Sequence, residues 1–298
     1  MIVSASYKTD IPALYGEWFR NRLKAGFCRV RNPYGGQVST VSLTGPEVDG
    51  FVFWTRNLTP FAEALEEVAA TGVPFVVTQT MTGYPRALET SVPPPERSVR
   101  LLSRVRARYG PAVVVWRYDP IVFSSLTTAA WHLANFGRLA AAMEGVTDEV
   151  VVSFAQVYQK TRRNLDGAAS RLPFVWWDPP DDEKRSLLVD LAAVAREHGL
   201  RLSLCAQRWL LLPGVADASC IDPRRLSAVA GRTIEAEAKP HRKECGCFRS
   251  KDIGAYDTCT LGCSYCYAVQ SRAVGLAHRR AHDPGGEFLF PPAPATGP

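Results

Sequence analysis

Six short apolar runs, rich in β-branched and aromatic residues, punctuate the chain at 2–6, 51–55, 75–80, 113–117, 150–154 and 201–205. Their continuous hydrophobicity predicts strands buried on both faces. Between them, over 11–25, 60–70, 95–109, 128–143 and 181–198, apolar positions recur at helical spacing. Thr59 before Pro60, and Asp181 with Asp182, supply helix-start chemistry, while Gly72, Gly110 and Gly199 stand where a left-handed residue closes a helix. Six strands alternating with five helices predict a parallel sheet joined by right-handed crossovers. A partial barrel and an open doubly wound sheet both satisfy that pattern. The segments 27–32 and 37–43, flanking Pro33-Tyr-Gly-Gly36, predict an inserted hairpin.

After Cys205 the alternation stops. Residues 210–219 read as loop, 223–230 as a short helix, 232–256 as polar and irregular, and 291–298 as a proline-rich disordered tail. The simplest division is a βα core over 1–205, a cysteine-rich cap over 206–283 and a flexible tail over 284–298.

Composition narrows the class. Of the 298 residues, 46% are hydrophobic and 21% charged, which excludes a mainly disordered chain. No apolar stretch approaches the roughly 20 residues of a membrane helix. The N-terminus runs into a strand without a basic, then apolar, leader, so a cytoplasmic location is expected. A formal charge of +6 suits an anionic small molecule but is too weak to indicate nucleic acid.

Eight cysteines, at 28, 205, 220, 245, 247, 259, 263 and 266, change the picture. A disulfide scaffold would be small and secreted, so clustered thiols point first to metal. Cys259-Thr-Leu-Gly-Cys263-Ser-Tyr-Cys266 places three thiolates in one short loop, enough for three corners of a cubane iron–sulfur cluster whose last iron stays open. A structural zinc would instead want four ligands. Cys205, Cys220, Cys245 and Cys247 form a complete four-thiolate set, suited to a second iron–sulfur cluster, less readily to zinc, or to plain structural thiols. Cys28 stands apart and reads as a small buried hydrophobe.

The Cys-x3-Cys-x2-Cys loop, with Tyr265 before its last cysteine, resembles the signature of the radical S-adenosylmethionine (SAM) superfamily, moved from after the first strand to after the last. The whole chain resembles the domain-of-unknown-function family 1848, through Ser4-Ala-Ser-Tyr-Lys-Thr-Asp-Ile-Pro12, Arg117-Tyr-Asp-Pro120, Asp252-Ile-Gly-Ala-Tyr256 and Cys263-Ser-Tyr-Cys-Tyr-Ala268, over about residues 1–290. That resemblance implies an α/β fold of the partial (βα)6 TIM-like barrel type found in radical SAM enzymes, with a C-terminal cysteine-rich cap. It implies that Cys259, Cys263 and Cys266 hold a 4Fe–4S cluster whose open iron chelates SAM. An external donor such as flavodoxin or ferredoxin would supply an electron to cleave SAM, and the resulting radical would abstract hydrogen from a small-molecule substrate. It names neither substrate nor outcome.

In such barrels chemistry gathers at the C-terminal strand ends. Lys8, Asp10, Asn57, Gln79 and Tyr84 stand there as candidate substrate contacts. Arg56 and Arg117 are candidate forks for the SAM carboxylate or an anionic substrate, with Asp119 orienting Arg117 or accepting the SAM amine. A buried arginine–aspartate brace is the structural alternative. Tyr265 and Tyr267 are candidates for adenine contact or for packing the loop. Gly285-Gly-Glu287 imitates a SAM-amine motif but follows no predicted strand, so it reads as tail. Two other classes remain open, an iron–sulfur electron carrier or redox sensor, and a zinc-stabilised binding module.

Overall fold

The computed structural model describes residues 1–291. Its main sheet comprises β1 (Ile2–Ala5), β4 (Gly50–Thr55), β5 (Phe75–Thr80), β6 (Val114–Ile121), β8 (Glu149–Phe154), β10 (Arg201–Leu204), β11 (Ala216–Asp217) and β12 (Ser250–Asp252). The antiparallel pairs β2 (Phe27–Arg31) with β3 (Val38–Ser42), and β7 (Phe123–Ser124) with β9 (Trp176–Trp177), lie outside it. Helices are α1 (Ile11–Leu14), α2 (Gly16–Ala25), α3 (Ala62–Ala70), α4 (Pro95–Tyr109), α5 (Ala129–Met143), α6 (Gln159–Ala169), α7 (Asp181–Glu197), α8 (Pro223–Ala230) and α9 (Arg272–Arg280).

The sheet is eight-stranded and parallel throughout, in the order β11-β10-β8-β6-β5-β4-β1-β12. From β1 to β11 each new strand is added beside its predecessor. A doubly wound sheet would reverse direction at a switch point; here only β12 returns to the far edge, beside β1. The six expected strands and the hairpin are present. Residues read as loop over 210–219 and as irregular over 232–256 instead supply β11 and β12, which pair at the two edges of the sheet.

Period-two alternation divides the strands between two cores. Val3, Phe51, Phe53, Phe75, Val77, Val114, Trp116 and Val150 face the helices. Ile2, Val52, Val76, Val115 and Val151 face the opposite side, where Ile221, Leu226 and Ile234 of the cap cover them. Asp222 caps α8, its carboxylate accepting from the Arg224 amide at 3.0 Å. Gly50 admits Leu226 so closely that a Cβ there would stand 2.7 Å from its Cδ2. The cap therefore fills the inner face of the sheet.

The helices depart from expectation in three places. The stretch 11–25 breaks at Tyr15, whose buried hydroxyl donates to the Thr258 carbonyl at 2.6 Å. α6 and α9 appear where no helix was expected. Residues 284–290 lie along α2, with Asn21 and Trp18 donating to the Pro284 and Gly286 carbonyls at 3.0 Å and Leu289 buried; residues 292–298 of the expected tail lie outside the described residues. Among those described, no helix is long and apolar enough to cross a membrane.

Candidate functional site

Beyond the C-terminal ends of the strands lies a cavity of about 900 Å³, and Cys205, Cys220, Cys245, Cys247, Cys259, Cys263 and Cys266 all line it. The loop carrying the last three is tied to the segment that follows β5. Glu89 and Cys263 form an antiparallel bridge, the Ser264 amide donates to the Leu88 carbonyl at 2.9 Å, and the Ser91 amide to that of Leu261 at 2.9 Å. Gly262 turns the loop at φ +74°, a conformation glycine adopts without steric cost. Burial pushes the Cys263 thiol up to about 12 and raises those of Cys259 and Cys266. As free thiols they hold their protons; a coordinated metal would displace them.

The other four sulfurs form a chain of contacts. Cys205, just past β10, lies 3.5 Å from Cys220, and Cys247 is near enough to Cys220 and Cys245 to shift their thiols. The Cys247 side chain lowers the Cys245 thiol to about 7. Two guanidinium groups donate to this set, Arg117 Nη1 to Cys220 Sγ at 2.7 Å and Arg242 Nη2 to Cys205 Sγ at 3.6 Å. Such donors favour thiolate over thiol, but the neighbouring sulfurs and burial outweigh them, pushing Cys220 up to about 12 and raising Cys205. Among the described residues no three Cys, His, Asp or Glu side chains meet closely enough to grip one metal ion. The donor chemistry of both sets is all-sulfur, and they share one chamber; that composition fits clusters that spread their thiolates over several irons.

Of the sequence-predicted contacts, Lys8, Asp10, Arg56, Arg117, Asp119, Tyr265 and Tyr267 line the cavity. The arginines are already engaged. Arg56 reaches Glu89 at 2.5 Å and the Tyr265 hydroxyl at 2.7 Å. Arg117 pairs with Asp119, which also accepts from Ser153, and lies over the Trp54 ring at 5.0 Å. A bracing network thus accounts for both. Asp10 caps α1 through the Ala13 amide at 2.9 Å and accepts from the Arg56 amide at 2.7 Å, yet burial pushes its carboxyl up to about 6. The Tyr267 hydroxyl donates to the Tyr7 carbonyl at 2.7 Å.

Asn57, Gln79 and Tyr84 are not among the residues lining the cavity. The Asn57 side chain accepts from the Thr59 amide at 3.2 Å, and Gln79 bonds weakly with Ser98 at 3.4 Å behind the sheet. The Tyr84 hydroxyl donates to the Pro120 carbonyl and accepts from the Val122 amide, pinning the turn after β6. Polarity at a strand end does not say which way the next loop turns. Gly285-Gly-Glu287 lies against α2, where Glu287 pairs with Arg29 at 3.3 Å.

Three residues escaped the sequence reading. Glu89 is buried and gathers Arg56, Thr82 and Tyr265. Asp252 accepts from Ser4 at 2.9 Å and Ser6 at 2.8 Å and pairs with Lys8 at 3.5 Å. Arg242 reaches into the four-cysteine set from the cap. Only Asp252 left a signal, since it opens the segment Asp252-Ile-Gly-Ala-Tyr256.

Compared with known proteins, the chain matches one family model over residues 2–268, described as Domain of unknown function (DUF1848). No curated protein matches it.

Proposed function

The chain belongs to the DUF1848 family, and from that premise we propose that it is a radical SAM enzyme of partial-barrel type acting on a small molecule. The observation carrying this reading is the placement of the three-cysteine loop across the mouth of the sheet, with its thiols opening on the same chamber as the other four. Cys259, Cys263 and Cys266 would hold a 4Fe–4S cluster, and Cys205, Cys220, Cys245 and Cys247 a second cluster. When bound, the first would supply an open iron for SAM and the electron that cleaves it, drawn from a carrier such as flavodoxin or ferredoxin.

The chain's own residues do the positioning. Glu89 holds Arg56 and Tyr265 together, fixing the loop relative to β4 and β5. Arg117, braced by Asp119 and Trp54, places positive charge against Cys220. Asp10, with its carboxyl near 6, is poised to hold or release a proton beside the three-cysteine loop around neutral pH.

Iron, sulfide and zinc quantitation on oxygen-free protein, followed by a SAM-cleavage assay with reductant, tests the reading. Iron with sulfide and release of 5′-deoxyadenosine are expected. Iron and sulfide without SAM cleavage would leave an electron carrier or redox sensor, and zinc alone a binding module.

A further inference from the structure

The N-terminus of α6 faces the cavity in an electrostatically unfavourable state. A helix start carries partial positive charge and favours acidic or capping residues; α7 obeys this with Asp181, Asp182 and Glu183. α6 has no acidic residue in its first turn, and Tyr158 provides no side-chain cap. Its first five residues, Gln159-Lys-Thr-Arg-Arg163, instead bring three cations to the positive end. Arg163 donates to the Gln270 carbonyl at 2.8 Å, and Arg162 lies over the Trp176 ring at 5.5 Å. Lys160 lines the cavity with no hydrogen bond or ion pair among the described residues, its Nζ 5.8 Å from the centre of the Tyr256 ring.

A second observation is independent of charge. Thr161 lines the same cavity, is 1% exposed, and its Oγ1 has no hydrogen-bond partner. Across the chamber Thr9, 6% exposed, leaves its hydroxyl unpartnered in the same way. Buried hydroxyls without partners are costly unless something supplies the bond. One missing group, an oxyanion, would answer the bare helix amides, the unpaired ammonium and the orphan hydroxyl together.

We propose that the α6 N-terminus, with Lys160 and Thr161, is a binding site for the carboxylate or phosphate of a small molecule in the chamber. Asn164 of the same helix donates to the Cys266 and Val269 carbonyls at 3.2 Å, so the site adjoins the three-cysteine loop. This deepens the proposed function and rests on it for purpose. The anion comes either from SAM itself or from a second ligand.

The full-length chain, isolated without oxygen, is titrated calorimetrically with inorganic phosphate and with methionine. Lys160→Met and Thr161→Val should each weaken phosphate roughly tenfold, the scale of a hydrogen bond to a charged group, and Thr161→Ser should retain binding. Without added anion, Thr161→Val should melt no lower than the parent, because it removes an unsatisfied hydroxyl. Methionine weakened in parallel assigns the site to SAM; methionine unaffected beside weakened phosphate assigns it to a second molecule. Phosphate binding that is absent in the parent or unchanged in both variants overturns the site, as does a lower melting temperature for ligand-free Thr161→Val. SAM cleavage by a parent that binds neither probe would remove this site alone. Probe binding lost in the variants without SAM cleavage by the parent would remove the reaction alone.

Discussion

The two cysteine sets share a chamber but are built in opposite ways. Cys259, Cys263 and Cys266 come from one loop, so their proximity is set by local chain geometry, and hydrogen bonds to the 88–91 segment position the loop as a unit. Cys205, Cys220, Cys245 and Cys247 come from one strand end and two cap segments, and they meet only because the cap packs on the inner face of the sheet. The first set therefore depends on a few polar contacts, and the second on folding of the whole core. A local set is easily displaced without unfolding; a non-local set is not.

The sharpest test of that division is ligand deletion. Cys263→Ala should abolish SAM cleavage while leaving the iron held by the other set, and Cys220→Ala should lose that second share while the first remains. Parallel metal analysis and cleavage assays check both. If either change strips all the iron, the sets are not independent and the comparison collapses.

The next largest effect concerns the bracket holding the local loop. Glu89 is 3% exposed and takes Arg56, Thr82 and Tyr265 on one carboxylate oxygen. Glu89→Ala leaves a largely buried guanidinium without its counter-ion, a change costing about 3–5 kcal/mol. Urea unfolding should show that loss, and iron of the three-cysteine set should fall with it. A double variant, Glu89→Leu with Arg56→Met, should recover much of the stability because neither charge remains.

Acid acts on two buried groups outside both sets. Burial lowers His132 to about 4, and its ring bonds with Tyr118 Oη at 2.8 Å and the Val122 carbonyl at 3.0 Å. The unfolded chain takes this proton near 6.5 and the folded chain only near 4. Stability is full above 6.5 and declines as pH falls towards 4, by about 3 kcal/mol in total. Denaturant titrations at several pH values should show this slope, removed in His132→Gln. Asp10 acts in the opposite sense: its raised pKa makes the folded state lose stability as pH climbs from about 4 to about 6. Protonation of Asp10 beside the loop and of His132 behind the sheet thus pull against each other over one window, and the His132 variant unmasks the Asp10 trend.

The same contrast explains what could be read from the sequence. The six inner strands of the main sheet, the hairpin, α4 and α8 were legible because hydrophobic pattern and turn chemistry are local, and the three-cysteine loop was legible for the same reason. β11 and β12, of two and three residues, carry no period; they become strands only because β10 and β1 offer free edges. α6 escaped because only Thr161, Leu165 and Ala168 of its eleven residues are buried, too sparse a stripe to stand out. The four-cysteine set could be counted from the sequence but not assembled, since nothing local links Cys205 to Cys247. Glu89 was invisible because one glutamate in a loop has no pattern until its partners arrive from three other segments.

A subtler test uses two glycines that the helices treat differently. In α9, a Cβ on Gly275 would stand 2.4 Å from the Cys259 carbonyl oxygen and 3.3 Å from its carbon, both main-chain atoms that cannot rotate away. In α5, a Cβ on Gly137 would meet only Val194 Cγ1 at 3.9 Å, an ordinary contact. Alanine is the better helix former by about 1 kcal/mol, so Gly137→Ala should gain roughly that much and leave both cysteine sets loaded. Gly275→Ala makes the same propensity gain but forces the backbone at Cys259 to move, at an overpacking cost of about 1–3 kcal/mol. Its net change in unfolding free energy should be a loss of no more than about 2 kcal/mol, with the displacement concentrated in the loop. Iron should therefore be lost selectively from the three-cysteine set while the four-cysteine set stays intact. Equal iron in the two alanine variants would mean that the loop tolerates the shift, and that its position is held elsewhere than against α9.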